Sequence, residues 1–362
     1  MQDCRQPYSS PAIRQNPSYL VVDGFLNIGQ DSTIITLSRT RNLDSIVPVP
    51  ELNAQLMVVG ASGEQYPLYE QGNGRYVTDH LNLNFNENYQ LRIITSDNKE
   101  YLSDNIVAKP TPPIDSLQWG RDSTGVHVYV NTHDPQNSTR YYRWDYVETW
   151  QYRTAFESYF DWVNGGEIFR PLDQHIYNCW MTAHSTDIFV SNTIKLSQDI
   201  IYQYPVCAIP QTSEKLSIKF SVLVNQYAIS EDAYDYWQIL KKNTEQTGSL
   251  FDPQPSQTKG NIHSVSNPGE PVLGFISAST LQQKRIFIDG ADVTSWNYSP
   301  YYNECAISDT IKPIELDQQL APNVYHFLVY MGSNNGAYFT TPVRCGDCRD
   351  HGGTNIKPSF WE

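Results

Sequence analysis

The chain has 362 residues, of which 40% are hydrophobic and 18% charged, enough for two domains with cores of their own and too apolar for a disordered chain. Its formal net charge of −14 argues against a nucleic-acid partner, which needs a basic stripe. No run of about 18 apolar residues occurs, which excludes a membrane-spanning helix.

The first 18 residues read as a polar, proline-containing tether that carries Cys4. The segment before Cys4 is too short for a signal peptide, so the opening reads as a mature chain. A cysteine at that place reads as a lipid-anchor site, with pairing to Cys207 as the plainer alternative. The first folded unit is expected over 19–109. Short β-branched or alternating runs at 19–22, 25–28, 33–38, 54–59, 65–69, 74–77, 89–95 and 101–107 are separated by turn residues. That spacing predicts an immunoglobulin-like sandwich. Pro110, Pro112 and Pro113 then predict a stiff linker over 110–113 and a domain boundary.

The remainder, 114–362, predicts a larger β-rich domain. Strands are expected at 114–119 and 125–131, then at 141–152, where Tyr142, Trp144, Tyr146, Trp150 and Tyr152 share one face by the period-2 rule. Such a row reads first as core and second as a stacking platform for a glycan or peptide. Residues 154–170 read as an irregular excursion and 193–201 as an irregular or helical turn. Further strands are expected at 177–180, 188–191 and 216–224.

One long helix is predicted near 231–246. Ser230 is placed to cap it, Glu231 and Asp232 suit its first turn, and Ala233, Tyr236, Trp237 and Leu240 recur on one face. Its plain role is to plug one end of a sandwich. A sharper reading makes the helix and its exit, with Phe251, Pro253 and Pro255, a docking surface. Strand-like runs follow at 272–278, 285–288 and 325–330.

Catalytic signatures are missing from the sequence: it holds no phosphate-cradling glycine loop, no Gly-x-Ser-x-Gly elbow and no His-Glu-x-x-His pair. Cys345, Cys348 and His351, with Cys305 as a fourth ligand, fit a zinc knuckle only in part. In an exported chain those thiols are expected to oxidise, with Cys345 and Cys348 pairing outward to Cys179 and Cys305. No metal, cofactor or catalytic residue is therefore expected. A metal-dependent hydrolase built on Cys345, Cys348 and His351 stands as the third reading.

Several stretches together resemble the Bacteroidota lipoprotein family known as domain of unknown function 4249. They are Leu20-Val21-Val22-Asp23-Gly24, Tyr142-Arg143-Trp144, Glu148-Thr149-Trp150, and the run from Gly248 to Ser256. Thr36-Leu37-Ser38-Arg39-Thr40, Cys179-Trp180, Gly260-Asn261-Ile262, Val272-Leu273-Gly274-Phe275, Cys345-Gly346-Asp347-Cys348, Gly352-Gly353-Thr354 and Lys357-Pro358 before Phe360-Trp361 complete the set. The resemblance implies a non-enzymatic accessory lipoprotein of the outer membrane, anchored through lipid, with its cell-surface face favoured. It implies a TonB-dependent β-barrel transporter as partner. The competing expectation is a stand-alone glycan- or peptide-binding module that uses the aromatic strand.

Overall fold

The computed structural model describes residues 18–41, 48–85, 87–163, 166–245, 259–293, 305, 309–311, 326–331 and 338–362. Cys4, Gly248, Phe251, Pro253 and Pro255 lie outside the described residues. So do the parts of the tether, the helix exit and the tail that fall between those ranges.

The first unit opens with β1 (Leu20–Asn27), β2 (Thr33–Arg39), β3 (Val49–Pro50), β4 (Gln55–Gly60) and β5 (Gln65–Glu70). It continues with β6 (Arg75–Thr78), β7 (Asn88–Ile94), β8 (Glu100–Ser103) and β9 (Ile106–Lys109). Alternate residues point inward, as the pleat requires: Leu20, Val22 and Leu26 from β1, Ile35 and Leu37 from β2, Leu91 and Ile93 from β7. The strand at 101–107 expected from sequence is two strands, with Asp104 at the bend.

The second unit holds β10 (Ile114–Arg121), β11 (Gly125–Asp134), β12 (Tyr141–Arg153), β13 (Phe160–Val163) and β14 (Gly166–Phe169). Then come β15 (Asn178–His184), β16 (Phe189–Asn192), β17 (Asp199–Pro210) and β18 (Lys219–Ala228). The helix α1 (Glu231–Glu245) follows. After it are β19 (Ile262–Ser264), β20 (Val272–Leu273), β21 (Ala278–Ser279) and β22 (Gln282–Asp289). A three-stranded sheet, β10-β11-β17, faces a larger one ordered β15-β12-β18-β22, with β16 also paired to β12. This is a fibronectin-type sandwich by strand order. The protein is thus mainly β with one prominent helix.

Between β18 and β22 the chain leaves the second sandwich and returns to the first. β19 pairs antiparallel with β8, β20 pairs parallel with β1, and β21 bridges β1 and β9 in parallel. Because β9 also pairs β7, the strands β7-β4-β5-β6-β2-β1-β21-β9 close into a ring. Ile262, Val272, Ile276 and Ala278 enter the same core as β1 and β7. Glu270 adds a polar tie. It accepts the Tyr101 hydroxyl at 2.8 Å and lies 3.7 Å from the Arg39 guanidinium. The first unit is therefore not built from residues 19–109 alone, and residues 262–279 do not belong to the second sandwich.

The predicted linker is likewise part of the packing. Thr111 and Pro112 are buried. The Gln226 side chain donates to the Pro112 carbonyl at 2.8 Å and to the Thr132 hydroxyl at 3.0 Å, while its carbonyl accepts the Trp144 indole N–H at 2.8 Å. One fully buried amide thus satisfies three groups drawn from β11, β12 and the 110–113 segment. Gln226→Leu keeps the volume and leaves the Pro112 carbonyl and the Trp144 indole N–H without this partner, while the Thr132 hydroxyl keeps its bond to the Pro113 carbonyl at 2.9 Å. It is expected to cost roughly 3 kcal/mol, read as a lower urea midpoint at unchanged slope.

Asp134 ends β11 and organises the turn into β12. Burial acts to raise its pKa. Bonds from the Ser138 hydroxyl and the Thr139, Gln136 and Ser138 N–H groups outweigh that and hold it at about 2. An unfolded aspartate titrates near 3.9. Because the folded pKa is the lower, the stabilisation is complete above about 4 and is lost as pH falls through about 2. Thermal melts across that window should show a steeper loss for the wild type than for Asp134→Asn.

Candidate functional site

The aromatic row on β12 faces inward. Tyr142, Trp144, Trp150 and Tyr152 are 0%, 1%, 6% and 3% exposed, and Tyr146 is partly buried against the same core. Trp144 stacks with Tyr142 and with Tyr204, and the Tyr142 hydroxyl donates to Asp199 at 2.7 Å. Burial and then the Asp199 carboxylate push the Tyr142 pKa well above the usual range. Rings closed between two sheets have no face left for a sugar, so this strand is core and not a binding platform. Glu148, which interrupts the row, is 6% exposed and paired with Lys215 at 2.5 Å.

The tail cysteines are oxidised. Cys179 bonds Cys348 and Cys305 bonds Cys345. Their sulfurs are not thiolates, so the zinc reading loses its ligands. The His351 ring nitrogen instead lies 2.8 Å from the Arg344 carbonyl. Cys207 is a buried free thiol whose pKa burial raises to about 12, which leaves it unreactive. Among the described residues no group of His, Cys, Asp and Glu could hold a metal ion.

The feature with the form of a binding site is a cleft of about 650 Å³ between the two units. That volume lies in the range of small-ligand sites. One wall is the start of β9 and the bend before it, residues 104–107, together with Lys109. The opposite wall is α1, whose Asp232, Asp235, Tyr236 and Ile239 share a helical face. Residues 259–261 and 275–278 form the floor and end.

Sequence explains how α1 is held there. The Ser230 hydroxyl accepts the Ala233 N–H at 3.2 Å and caps the helix. Ala233 is fully buried against Val190, Tyr227 and Ile229. The Arg143 guanidinium lies over the Trp237 ring at 4.2 Å and over Tyr227 at 5.2 Å, and its charge is matched by Asp145 at 3.3 Å. Helix α1 thus lies against β12 and β16 and presents its other face to the cleft. Tyr236 rests on Phe275 with ring centroids 5.3 Å apart. Burial, then the Asp23 charge, raises its pKa.

The floor is fixed by Asn261. Its side-chain amide donates to the Ile276 carbonyl and accepts the Ile276 N–H, both at 2.8 Å, so it substitutes for a strand partner. Gly260 and Gly274 allow the backbones to meet: a Cβ on Gly260 would lie 1.7 Å from the Gly274 carbonyl oxygen. At the rim Asp104, Asp232, Asp235 and Lys259 are exposed, and His263 lies 3.5 Å from Asp104. Sequence reasoning pointed to the helix and to its exit at Phe251, Pro253 and Pro255, which lies outside the described residues, while the Gly260 and Val272 stretches carried only the family resemblance. It missed the β9 wall, because nothing local says that residues 104–109 meet residues 228–239.

Fold and site together define a two-unit β-sandwich protein with a cleft shared by both units. The chain belongs to the family described as domain of unknown function (DUF4249), whose profile matches residues 5–285. No curated protein matches the chain. Among solved structures, a two-domain fibronectin type III segment of chicken tenascin is 11% identical, covering 76% of this chain and 99% of that one, with a TM-score of 0.17. Trypsin-activated alpha-2-macroglobulin from Escherichia coli is 13% identical over 61% of this chain and 15% of its own, with a TM-score of 0.21.

Proposed function

We propose that this protein is a non-enzymatic accessory lipoprotein of the outer membrane, anchored through Cys4, that docks on a TonB-dependent β-barrel transporter and aids substrate capture or assembly of the complex. Membership of the family is consistent with this reading. The observation that carries it is the cleft: two units locked into one body build an apolar-floored groove with exposed charge at its rim, the form of a recognition site. The Cys179–Cys348 disulfide ties the tail to β15 of the second sandwich and Cys305–Cys345 closes a loop within the C-terminal part, which suits an exported chain.

The test is a mild-detergent pull-down of the full chain from its native outer membrane, with mass identification of what comes with it. A stoichiometric barrel partner is expected. Recovery of the chain free of any barrel, or from a fraction without lipid modification at Cys4, would sink the reading.

A further inference from the structure

We infer that the cleft between β9 and α1 receives an extended segment of a partner polypeptide, four or five residues long, apolar at its centre and carrying basic side chains. The inference rests on the adaptor reading, since the segment would belong to the docked partner.

Three independent observations point to a strand-like occupant. The first is pairing. On the β21 side β9 pairs at Ala108 and Lys109, and at the bend the Asp104 N–H donates to the Asn261 carbonyl at 2.7 Å; between these ties, among the described residues, Ile106 and Val107 have no strand beside them on that side. That flank opens into the cleft. A strand with an open flank is a template for an added strand. Val107, 55% exposed, would supply apolar contact there.

The second is length. From Ser230 to Ile239 the helix wall runs about 14 Å at about 1.5 Å per residue. An extended chain rises about 3.3 Å per residue, so roughly four residues span that wall. The β9 wall is of similar extent.

The third is charge. The cleft is lined by three carboxylates, Asp104, Asp232 and Asp235, against two ammonium groups, Lys109 and Lys259. The whole chain carries −14, so the field around the rim favours a cation. Beside these charges, Tyr236, Ile239 and Phe275 offer an apolar lining.

The test uses the full, disulfide-intact chain and two blocked pentapeptides, Lys-Val-Tyr-Val-Lys and Glu-Val-Tyr-Val-Glu, titrated by calorimetry. The basic peptide should bind about tenfold more tightly than the acidic one, and the double variant Asp232→Asn, Asp235→Asn should narrow that gap to about threefold. Both substitutions are on exposed positions, so an unchanged melting curve will show that the fold is kept. Ile239→Lys, in the apolar lining, should weaken both peptides. Equal binding of the two peptides, binding of neither at millimolar concentration, or indifference to these substitutions overturns the inference. So does a neutral oligosaccharide that binds more tightly than either peptide and is lost with Ile239→Lys. If the barrel partner is still captured by the cleft variants, the cleft assignment falls and the adaptor reading stands. If the basic peptide binds selectively but no barrel is captured, the reverse holds.

Discussion

Residues 18–113 expressed alone are expected not to fold. The fragment contains every strand from β1 to β9, yet the ring they form is closed by β21 from far along the chain. Without the excursion, Ile262, Val272, Ile276 and Ala278 leave the core, where they are 5%, 7%, 0% and 2% exposed. Burying a Val or Ile side chain is worth about 1.5–3 kcal/mol, so the three larger residues account for roughly 5–9 kcal/mol. A whole domain is stable by only about 5–15 kcal/mol. The loss also uncovers the flanks of β1, β8 and β9 and leaves Arg39 and Tyr101 without Glu270. Circular dichroism of the fragment should show no cooperative melt. A fusion that joins residues 259–281 to residue 113 through a flexible linker should restore one, because Thr111 already donates its N–H and its hydroxyl to the Thr280 hydroxyl and carbonyl. A cooperative transition in the bare fragment would show that the excursion is an ornament.

The same excursion marks the limit of what the sequence discloses. Helix α1 was legible because its signals are local: Ser230 at the cap, acids in the first turn, and one apolar face. The burial of Tyr142, Trp144, Trp150 and Tyr152 was legible as the ordinary use of a period-2 row. β20 and β21 are two residues each and pair in parallel with β1, some 250 residues away, so no periodicity announces them. The run 272–278 reads as one strand, but Gly274, with φ +128°, breaks it into two. β17 was missed for a different reason. Pro205 and Pro210 argue against a central strand, but β17 is an edge strand, where a missing N–H faces outward. Its bulges against β11 and the left-handed Gln203 further blur the alternation. The cleft, finally, is a product of the return itself, since its β9 wall and its helix wall meet only once residues 259–281 are laid between the units.

Gly274→Ala is expected to lower the stability of the first unit by roughly 3–5 kcal/mol, combining backbone strain with a clash that cannot relax. At φ +128° any side chain pays the cost of a sparsely populated region, about 1–3 kcal/mol. In addition the new Cβ would sit 2.0 Å from the Val22 carbonyl oxygen. Val22 is a core residue of β1, 2% exposed, so it cannot retreat without opening the sheet. Two comparisons separate the terms. Gly63 has φ +98° and open space around it, so Gly63→Ala carries the strain alone. Gly260 is not in the left-handed region, but its Cβ would meet the Gly274 carbonyl oxygen, so Gly260→Ala carries the clash alone. Urea unfolding of the three variants should rank Gly63→Ala as the mildest and Gly274→Ala as the most severe. The Gly260 and Gly274 variants should also weaken any ligand of the cleft, since β20 and the Phe275 floor move with them, while Gly63→Ala should leave it untouched. Equal losses for Gly63→Ala and Gly274→Ala would mean that the two backbones are not pressed together and that the first unit closes by some other contact.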